Sequence, residues 1–203
     1  RMRHAKSGNW WETAPHRALA NNSVSYTEKP DMETFLREWT ALVESKSGER
    51  GIFNRQASKK QAAKNGRRDT EWEFGTNPCS EIILRPYQFC NLSEVVVRAT
   101  DDLKSLSNKV RLATIIGTLQ SSLTKFPYLR KVWQNNTEEE RLLGVSLTGI
   151  MDNPLLTAKN KGLAQTLDHL RLVAVDTNKE WAERLGVQQS TAITCVKPSG
   201  TVS

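Results

Sequence analysis

Two successive cycles of short strand-like runs and long amphipathic stretches constrain the fold of this chain more than any other feature. Residues 94–98 are rich in valine, which predicts a buried strand, and the acidic pair 101–102 then begins an amphipathic helix. In the second cycle, the small residues of 144–150 predict a tight strand or turn, a long helix covers about 163–185, and 193–196 is a further strand. This alternation is typical of an α/β fold, and an open parallel sheet and a barrel fit it equally well.

Helical spacing also identifies an N-terminal cycle and a set of candidate core residues. Residues 24–26 predict a short strand, and residues 32–45 predict a helix with apolar side chains three and four positions apart. Gly186 is well placed to end the long C-terminal helix. The apolar stripes expected to face the core are Leu103, Leu106, Val110, Ala113 and Ile116 in the first long helix, and Leu163, Leu167, Leu170, Val173 and Trp181 in the second.

Composition excludes several classes of protein. Hydrophobic residues make up 37% and charged residues 25% of the 203 positions, which separates the chain from disordered sequences. The N-terminus has no apolar run and nowhere do about eighteen apolar residues follow one another, so we expect no signal peptide and no membrane span. An odd set of three cysteines without Cys-x-x-Cys spacing indicates functional thiols in a reducing cytoplasm. Three scattered histidines, at positions 4, 16 and 169, lack ligand spacing, so we expect no metal site.

The net charge of +7 raises the question of nucleic-acid binding. The basic residues are spread along the chain, and their densest stretch, 59–68, contains no aromatic residue and is followed by the acidic segment 69–73. This pattern favours a solvated helix face over a nucleic-acid site. A diffuse positive charge also suits an enzyme whose substrates carry phosphates.

The segment with the clearest chemical content is 77–81. Asn77, Cys79 and Glu81 are two positions apart, so on an extended backbone their side chains project to the same side. An amide that holds a substrate hydroxyl, a thiol that reacts and a carboxylate that moves a proton would then share one small volume. The structural alternative is that Cys79 is a small buried apolar residue and Glu81 a charge at a strand edge.

A family resemblance favours the chemical interpretation. The pattern Asn-Pro-Cys-x-Glu at 77–81, followed by Cys-Asn-Leu-x-Glu-Val at 90–95, resembles the finger-loop sequence of ribonucleotide reductases, including the eleven-residue spacing between the two cysteines. Pro78 is typical of the adenosylcobalamin-dependent class II enzymes, and the closest form is that of the monomeric ribonucleoside-triphosphate reductases. Further similar segments, in the same order, are 20–24, 48–54, 144–152 and 196–202.

The resemblance implies a fold and an activity. Residues 1–203 would be part of a ten-stranded α/β barrel, truncated at both ends, whose central finger loop carries the radical cysteine. The whole enzyme would be cytoplasmic, reduce ribonucleotides to 2′-deoxyribonucleotides for DNA replication, use adenosylcobalamin, and draw electrons from a thioredoxin-like reductant. Nucleic acid and membranes are not expected partners. The fragment alone would be inactive.

The resemblance also implies roles for individual residues. Cys79 would carry the thiyl radical, Glu81 would act as a base toward the 3′-hydroxyl, and Asn77 would hold the ribose hydroxyls. Cys90 would supply electrons together with a partner cysteine that lies N-terminal to this chain. Cys195 is interpreted as a packing residue, although it could be taken for the missing partner. The substrate phosphates would bind at the turn formed by Pro198, Ser199, Gly200, Thr201 and Val202, where backbone N–H groups open a helix.

Two alternatives remain open at this point. The chain could belong to the large subunit of a class I reductase, which shares the barrel and the thiyl chemistry, or it could be an inactive α/β nucleotide-binding module. If the assignment is correct, Cys79 and Cys90 converge on one cleft without a disulfide between them. The trio at 77–81 should also face the same pocket as the turn at 199–201.

Overall fold

The computed structural model describes residues 2–20, 22–46 and 50–199, and it shows a mixed α/β protein. Short 3₁₀ helices cover Met2–His4, Pro15–Leu19 and Ile150–Asp152. The α-helices are α1 (Trp10–Thr13), α2 (Met32–Ser45), α3 (Arg55–Ala63), α4 (Leu103–Gln120), α5 (Lys131–Glu140) and α6 (Leu163–Leu185). The strands are β1 (Asn22–Tyr26), β2 (Arg50–Asn54), β3 (Gly75–Thr76), β4 (Ile83–Leu84), β5 (Leu92–Val96) and β6 (Gly144–Thr148).

The predicted helices are confirmed where local end signals are strong. Helix α2 begins after Asp31, whose carboxylate accepts a hydrogen bond of 2.8 Å from the Thr34 N–H, and its bounds are those predicted. Helix α4 begins after Asp102, which caps it in the same way. Helix α6 also has its predicted bounds and ends at Gly186, which has a φ of 65° that glycine adopts without strain.

The strands form pairs. Strand β1 lies parallel to β2, β3 lies antiparallel to β4, and β5 lies parallel to β6. The predicted strand 94–98 begins two residues earlier, and the predicted strand 193–196 is reduced to one bridge, between Val145 and Thr194. That bridge still places a third parallel segment beside β6, on the side away from β5. No closed barrel is formed by the residues that the structure describes.

The core lies on one face of this parallel sheet, where α4 covers β5 and β6 and α6 packs against α4. Leu106 and Leu170 are buried there as predicted. The apolar pattern predicts the same for Leu103, Ile116 and Leu167, but they are 40%, 60% and 43% exposed. The buried stripe of each helix is narrower than its apolar stripe, so apolar side chains at the edge of that stripe face outward. The buried cluster contains Val95, Val97, Leu106, Val110, Ala113, Leu143, Val145, Leu156, Leu170, Ala174 and Ile193.

The basic stretch 59–68 is solvated only in part. Lys60 on α3 and Lys64 just beyond it are exposed, as the sequence predicts for a solvated helix face. Arg68 is buried and forms an ion pair with Glu140, so the prediction is wrong for this residue. The reason is that the chain leaves the helix and turns at Gly66, where φ is 63°, before Arg68 is reached. Within the described ranges, no helix is long and apolar enough to cross a membrane.

Leu106→Ala should lower the free energy of unfolding by about 2–5 kcal/mol, because it opens a cavity in the core between α4 and the sheet. The matched control is Leu112→Ala, on the same helix but 61% exposed, which should change stability by no more than about 0.5 kcal/mol. Urea unfolding followed by circular dichroism measures both variants. Equal destabilisation would show that the core does not lie on this face of α4.

Candidate functional site

A short hairpin presents the segment that the sequence identifies as chemically important. Strands β3 and β4 flank a tight turn, in which the Ser80 N–H donates a 3.0 Å hydrogen bond to the Asn77 carbonyl. Ser80 has a φ of 66°, and the backbone over 77–81 is therefore not extended. The condition on which strand alternation would place Asn77, Cys79 and Glu81 on one side is therefore not met. Proline at the second position and asparagine at the first are typical of such a turn, so the sequence contained the signal.

Asn77 holds the turn together. Its side chain is buried, and its Oδ1 accepts hydrogen bonds from the Ile82 N–H at 3.0 Å and from Thr76 Oγ1 at 3.4 Å. The Asn77 N–H donates in turn to the Ile82 carbonyl at 3.3 Å. One amide oxygen therefore closes the loop from the inside, which fixes the path of the chain between Asn77 and Ile82.

Cys79 and Glu81 lie in different environments on this hairpin. Cys79 is exposed at the tip of the turn. Glu81 is half-buried, and both of its carboxylate oxygens are buried without a hydrogen-bond partner in the described part of the chain. Buried polar atoms in proteins nearly always have a partner, so an unpartnered carboxylate is a feature that needs an explanation.

The hairpin approaches the sheet on the face opposite the helices. A Cβ atom placed on Gly144, at the start of β6, would lie 2.9 Å from Ile82 Cδ1, 2.4 Å from Leu92 Cδ2 and 3.1 Å from Cys195 Sγ. A side chain at this position would collide with Leu92 and Ile82 and would crowd Cys195. Gly144 thus allows the hairpin to pack directly on β5 and β6, a role that its position at a strand start did not reveal.

The other two thiols lie near the hairpin. Burial raises the pKa of Cys90 even though the residue is partly exposed to solvent, and the nearby charge of Glu81 raises it further. Burial raises the pKa of Cys195 to about 12, again with a contribution from Glu81. Lys197 opposes both shifts, which places Glu81, Cys90, Cys195 and Lys197 within electrostatic reach of one another. Cys79, Cys90 and Cys195 are all free thiols. Cys79 and Cys90 are thus not joined by a disulfide, as predicted.

The segment after Cys195 runs along the end of β6. The Lys197 N–H donates to Ser146 Oγ at 3.0 Å, and Ser199 Oγ lies 3.2 Å from Thr148 Oγ1. The Ser199 N–H donates to the Lys197 carbonyl at 2.8 Å, and Pro198 is exposed. The other residues of the expected phosphate turn, Gly200, Thr201 and Val202, lie outside the described residues. The described residues bring no cluster of His, Cys, Asp and Glu side chains together in the manner of a metal site.

A largely buried ionic cluster lies beside the hairpin. We call this cluster the arginine clamp, and its members are Arg68, Arg85, Gln88, Glu139 and Glu140. Arg68 lies before β3, Arg85 and Gln88 follow β4, and the two glutamates end α5. The Arg68 guanidinium donates to both carboxylate oxygens of Glu140 at 2.8 Å. Its members are separated by up to 72 residues, so no local sequence pattern could have identified it.

Comparison with known proteins agrees with the resemblance found in the sequence. No family model matches the chain. It is 30% identical to the adenosylcobalamin-dependent ribonucleoside-triphosphate reductase of Lacticaseibacillus paracasei over 220 aligned positions, which cover 93% of this chain. The enzyme of the same name from Lactobacillus gasseri is 29% identical over the same share. In both cases the chain spans 28% of the relative's length.

A solved structure gives the same result in three dimensions. The crystal structure of a B12-dependent, class II ribonucleotide reductase superposes on 94% of this chain with a TM-score of 0.63 and 26% sequence identity. The chain corresponds to 30% of that protein. Over most of its length, this chain is therefore a distant homologue, at about 30% identity, of one segment of the adenosylcobalamin-dependent class II ribonucleotide reductases.

Proposed function

We propose that this chain is the radical-cysteine segment of a reductase that converts ribonucleotides to 2′-deoxyribonucleotides. The observation that carries the proposal is the Glu81 carboxylate, whose buried oxygens lack a donor within the described residues while three thiols lie on or near the same hairpin. A carboxylate in this state is suited to accept a hydrogen bond, and then a proton, from a substrate hydroxyl.

The roles of the hairpin residues follow from their chemistry. Cys79, as a thiyl radical, removes the hydrogen atom from C3′ of the ribose, so that a C–H bond breaks and an S–H bond forms. Glu81 takes the proton of the 3′-hydroxyl. The side-chain NH₂ of Asn77, whose oxygen is bonded within the turn, donates to the ribose hydroxyls. The 2′-hydroxyl then takes a proton from a pair of thiols and leaves as water, and the sugar radical takes up two electrons and a second proton from the same pair. Cys79 and Glu81 then return the hydrogen atom and the proton to the 3′ position.

Those electrons come from a pair of thiols, of which Cys90 is one. The partner cysteine belongs to a segment outside this chain, and a thioredoxin-like reductant restores the pair after each turnover. Cys195 is not proposed as the partner. Its Sγ is packed beside Gly144, and burial raises its pKa to about 12, so that it stays protonated at neutral pH.

The remaining parts of the proposal concern phosphates and cofactor. The turn at 198–202 binds the phosphates of a ribonucleoside triphosphate, with Lys197 adding positive charge beside it. Adenosylcobalamin, when bound, supplies the radical that removes the hydrogen atom of the Cys79 thiol. Exposure of Cys79 at the tip of the turn supports this assignment, because the thiol must be accessible to a bulky cofactor.

The fold proposal is a segment of a ten-stranded α/β barrel with the hairpin as its finger loop. Its support is the arrangement of three parallel segments with α4 and α6 on one face and the hairpin on the other. In a closed barrel, the face opposite the helices is the interior. The alternatives are a class I large subunit and an inactive nucleotide-binding module, and dependence of turnover on adenosylcobalamin separates the proposal from both.

In the full-length protein, Cys79→Ser should abolish both hydrogen exchange between adenosylcobalamin and solvent and the reduction of nucleotides. Cys90→Ser should retain the exchange and lose net reduction, because it removes an electron donor and leaves the radical site intact. Tritium exchange and deoxynucleotide yield are measured side by side, with Cys195→Ser as the matched control that keeps both activities. Equal loss of exchange in the Cys79 and Cys90 variants would contradict this division of roles.

Glu81→Gln should reduce the rate of nucleotide reduction by about 10²–10⁴, because the amide keeps the shape of the side chain and loses its basicity. Nucleotide binding, measured by calorimetry, should be retained. Glu71→Gln, at an exposed position before the hairpin, is the control and should be fully active. Full activity of the Glu81 variant would remove the general base from the mechanism.

A further inference from the structure

The hairpin that carries Cys79 is too short to fix its own position. Strands β3 and β4 share only two residue pairs, and isolated two-stranded hairpins are at best marginally stable. Its contact with the sheet runs through Ile82 against Gly144, an apolar contact that restricts distance more than orientation. Further contacts must therefore fix the orientation of the hairpin relative to the sheet.

The arginine clamp lies where such a restraint is needed. Glu140 accepts hydrogen bonds from Arg68 on the N-terminal side of the hairpin, and its Oε1 lies 3.2 Å from Arg85 Nη2 on the C-terminal side. Gln88 donates to Glu140 Oε2 at 2.6 Å and accepts from the Arg85 N–H at 2.9 Å. One carboxylate thus binds both ends of the hairpin, and Gln88, which also binds it, is two residues from Cys90.

The clamp is buried except for Glu139, and its charges balance. The side chains of Arg68, Arg85 and Glu140 are 4%, 1% and 1% exposed. Glu139, which is exposed, binds Arg85 Nη1 at 2.8 Å, so two arginines face two glutamates. Buried ion pairs are a weak source of stability compared with apolar packing, but their directional bonds restrict orientation. This makes the cluster better suited to positioning a segment than to stabilising the fold as a whole.

The backbone of Glu140 also restrains the segment that leads to Cys195. Its carbonyl accepts from the Thr191 N–H at 3.0 Å, four residues before Cys195. The side chain of Glu140 therefore holds the segments of Cys79 and Cys90, and its backbone holds the segment of Cys195 and Lys197. Glu140 ends α5 and is followed closely by β6. The segments of Cys79, Cys90 and Cys195 are therefore held in fixed positions relative to the sheet on which the hairpin packs.

We propose that Glu140 is a positioning residue, which fixes the hairpin of Cys79 and the segment of Cys90 relative to each other through its bonds to Arg68 and Arg85. The importance of this for catalysis rests on the function proposed above, but the positioning itself does not. Arg68→Lys and Glu140→Gln both weaken the clamp. The lysine variant keeps the charge and loses the bidentate geometry. The glutamine variant removes the carboxylate that binds Arg68 and leaves Arg85 paired with Glu139 alone.

The first measurement is the pH profile of Cys90 alkylation by iodoacetamide, followed by mass spectrometry of its peptide. Burial raises the pKa of Cys90 in the intact protein, so loosening of the segment should move the profile to lower pH in both variants. Alkylation at neutral pH should become about threefold faster for every tenfold increase in the acidity constant of the thiol, because lower nucleophilicity offsets part of the gain in thiolate. Glu180→Gln is the matched control and should leave the profile unchanged. Glu180 lies on α6 and, like Glu140, binds two arginines, Arg111 and Arg184.

The second measurement is nucleotide reduction by the full-length protein. Arg68→Lys should lower kcat by about 10²-fold, the effect of a small displacement of reacting groups, and leave KM for the nucleotide unchanged. A Cys90 profile that is unchanged in both variants would overturn the proposal. So would loss of folding in Arg68→Lys, because the clamp would then serve overall stability. If the Cys90 profile shifts in the variants but the unsubstituted full-length protein does not reduce nucleotides, the positioning role is supported and the proposed function is refuted.

Discussion

Parallel pairing of β5 with β6 is the constraint on which the rest of the site depends. Helix α4, with α6 packed against it, covers one face of this pair, where Val95 and Val145 are buried. The hairpin can therefore pack only on the opposite face, and Gly144 makes the close approach of Ile82 possible. A single pair of strands thus separates a core that stabilises the protein from a surface on which polar and sulfur-containing side chains gather.

Two glutamates near the hairpin show two different environments for a buried carboxylate. Glu140 is satisfied by two arginines and a glutamine, as a buried carboxylate normally must be. Glu81 has no such partner within the described residues, although both its oxygens are buried. An orphaned buried acceptor costs free energy, and proteins tolerate that cost mainly where function requires it. The contrast supports Glu81 as a residue that acts on a substrate.

The three thiols show that local environment decides what a cysteine can do. Cys79 is exposed on a tight turn, Cys90 follows a segment held by α5, and Cys195 is packed beside Gly144 with a pKa raised to about 12. Only the first two combine accessibility with a position on or next to the hairpin. This agrees with the different roles proposed for Cys79 and Cys90, and with the packing role proposed for Cys195.

The sequence by itself determined the helices, because periodicity and end signals such as Asp31 and Gly186 act within a few residues. It also identified the residues that we propose to carry chemistry, since Asn77 to Glu81 and Cys90 form a motif within one short segment of the chain. The turn closed by Asn77 was also signalled locally, by the Asn-Pro pair at its start. Only the tertiary structure decided the exposure of Ile116 and the pairing of Arg68 with Glu140. These features arise between segments that are distant in the chain, where burial and charge compensation depend on packing and leave no periodic signal in the sequence.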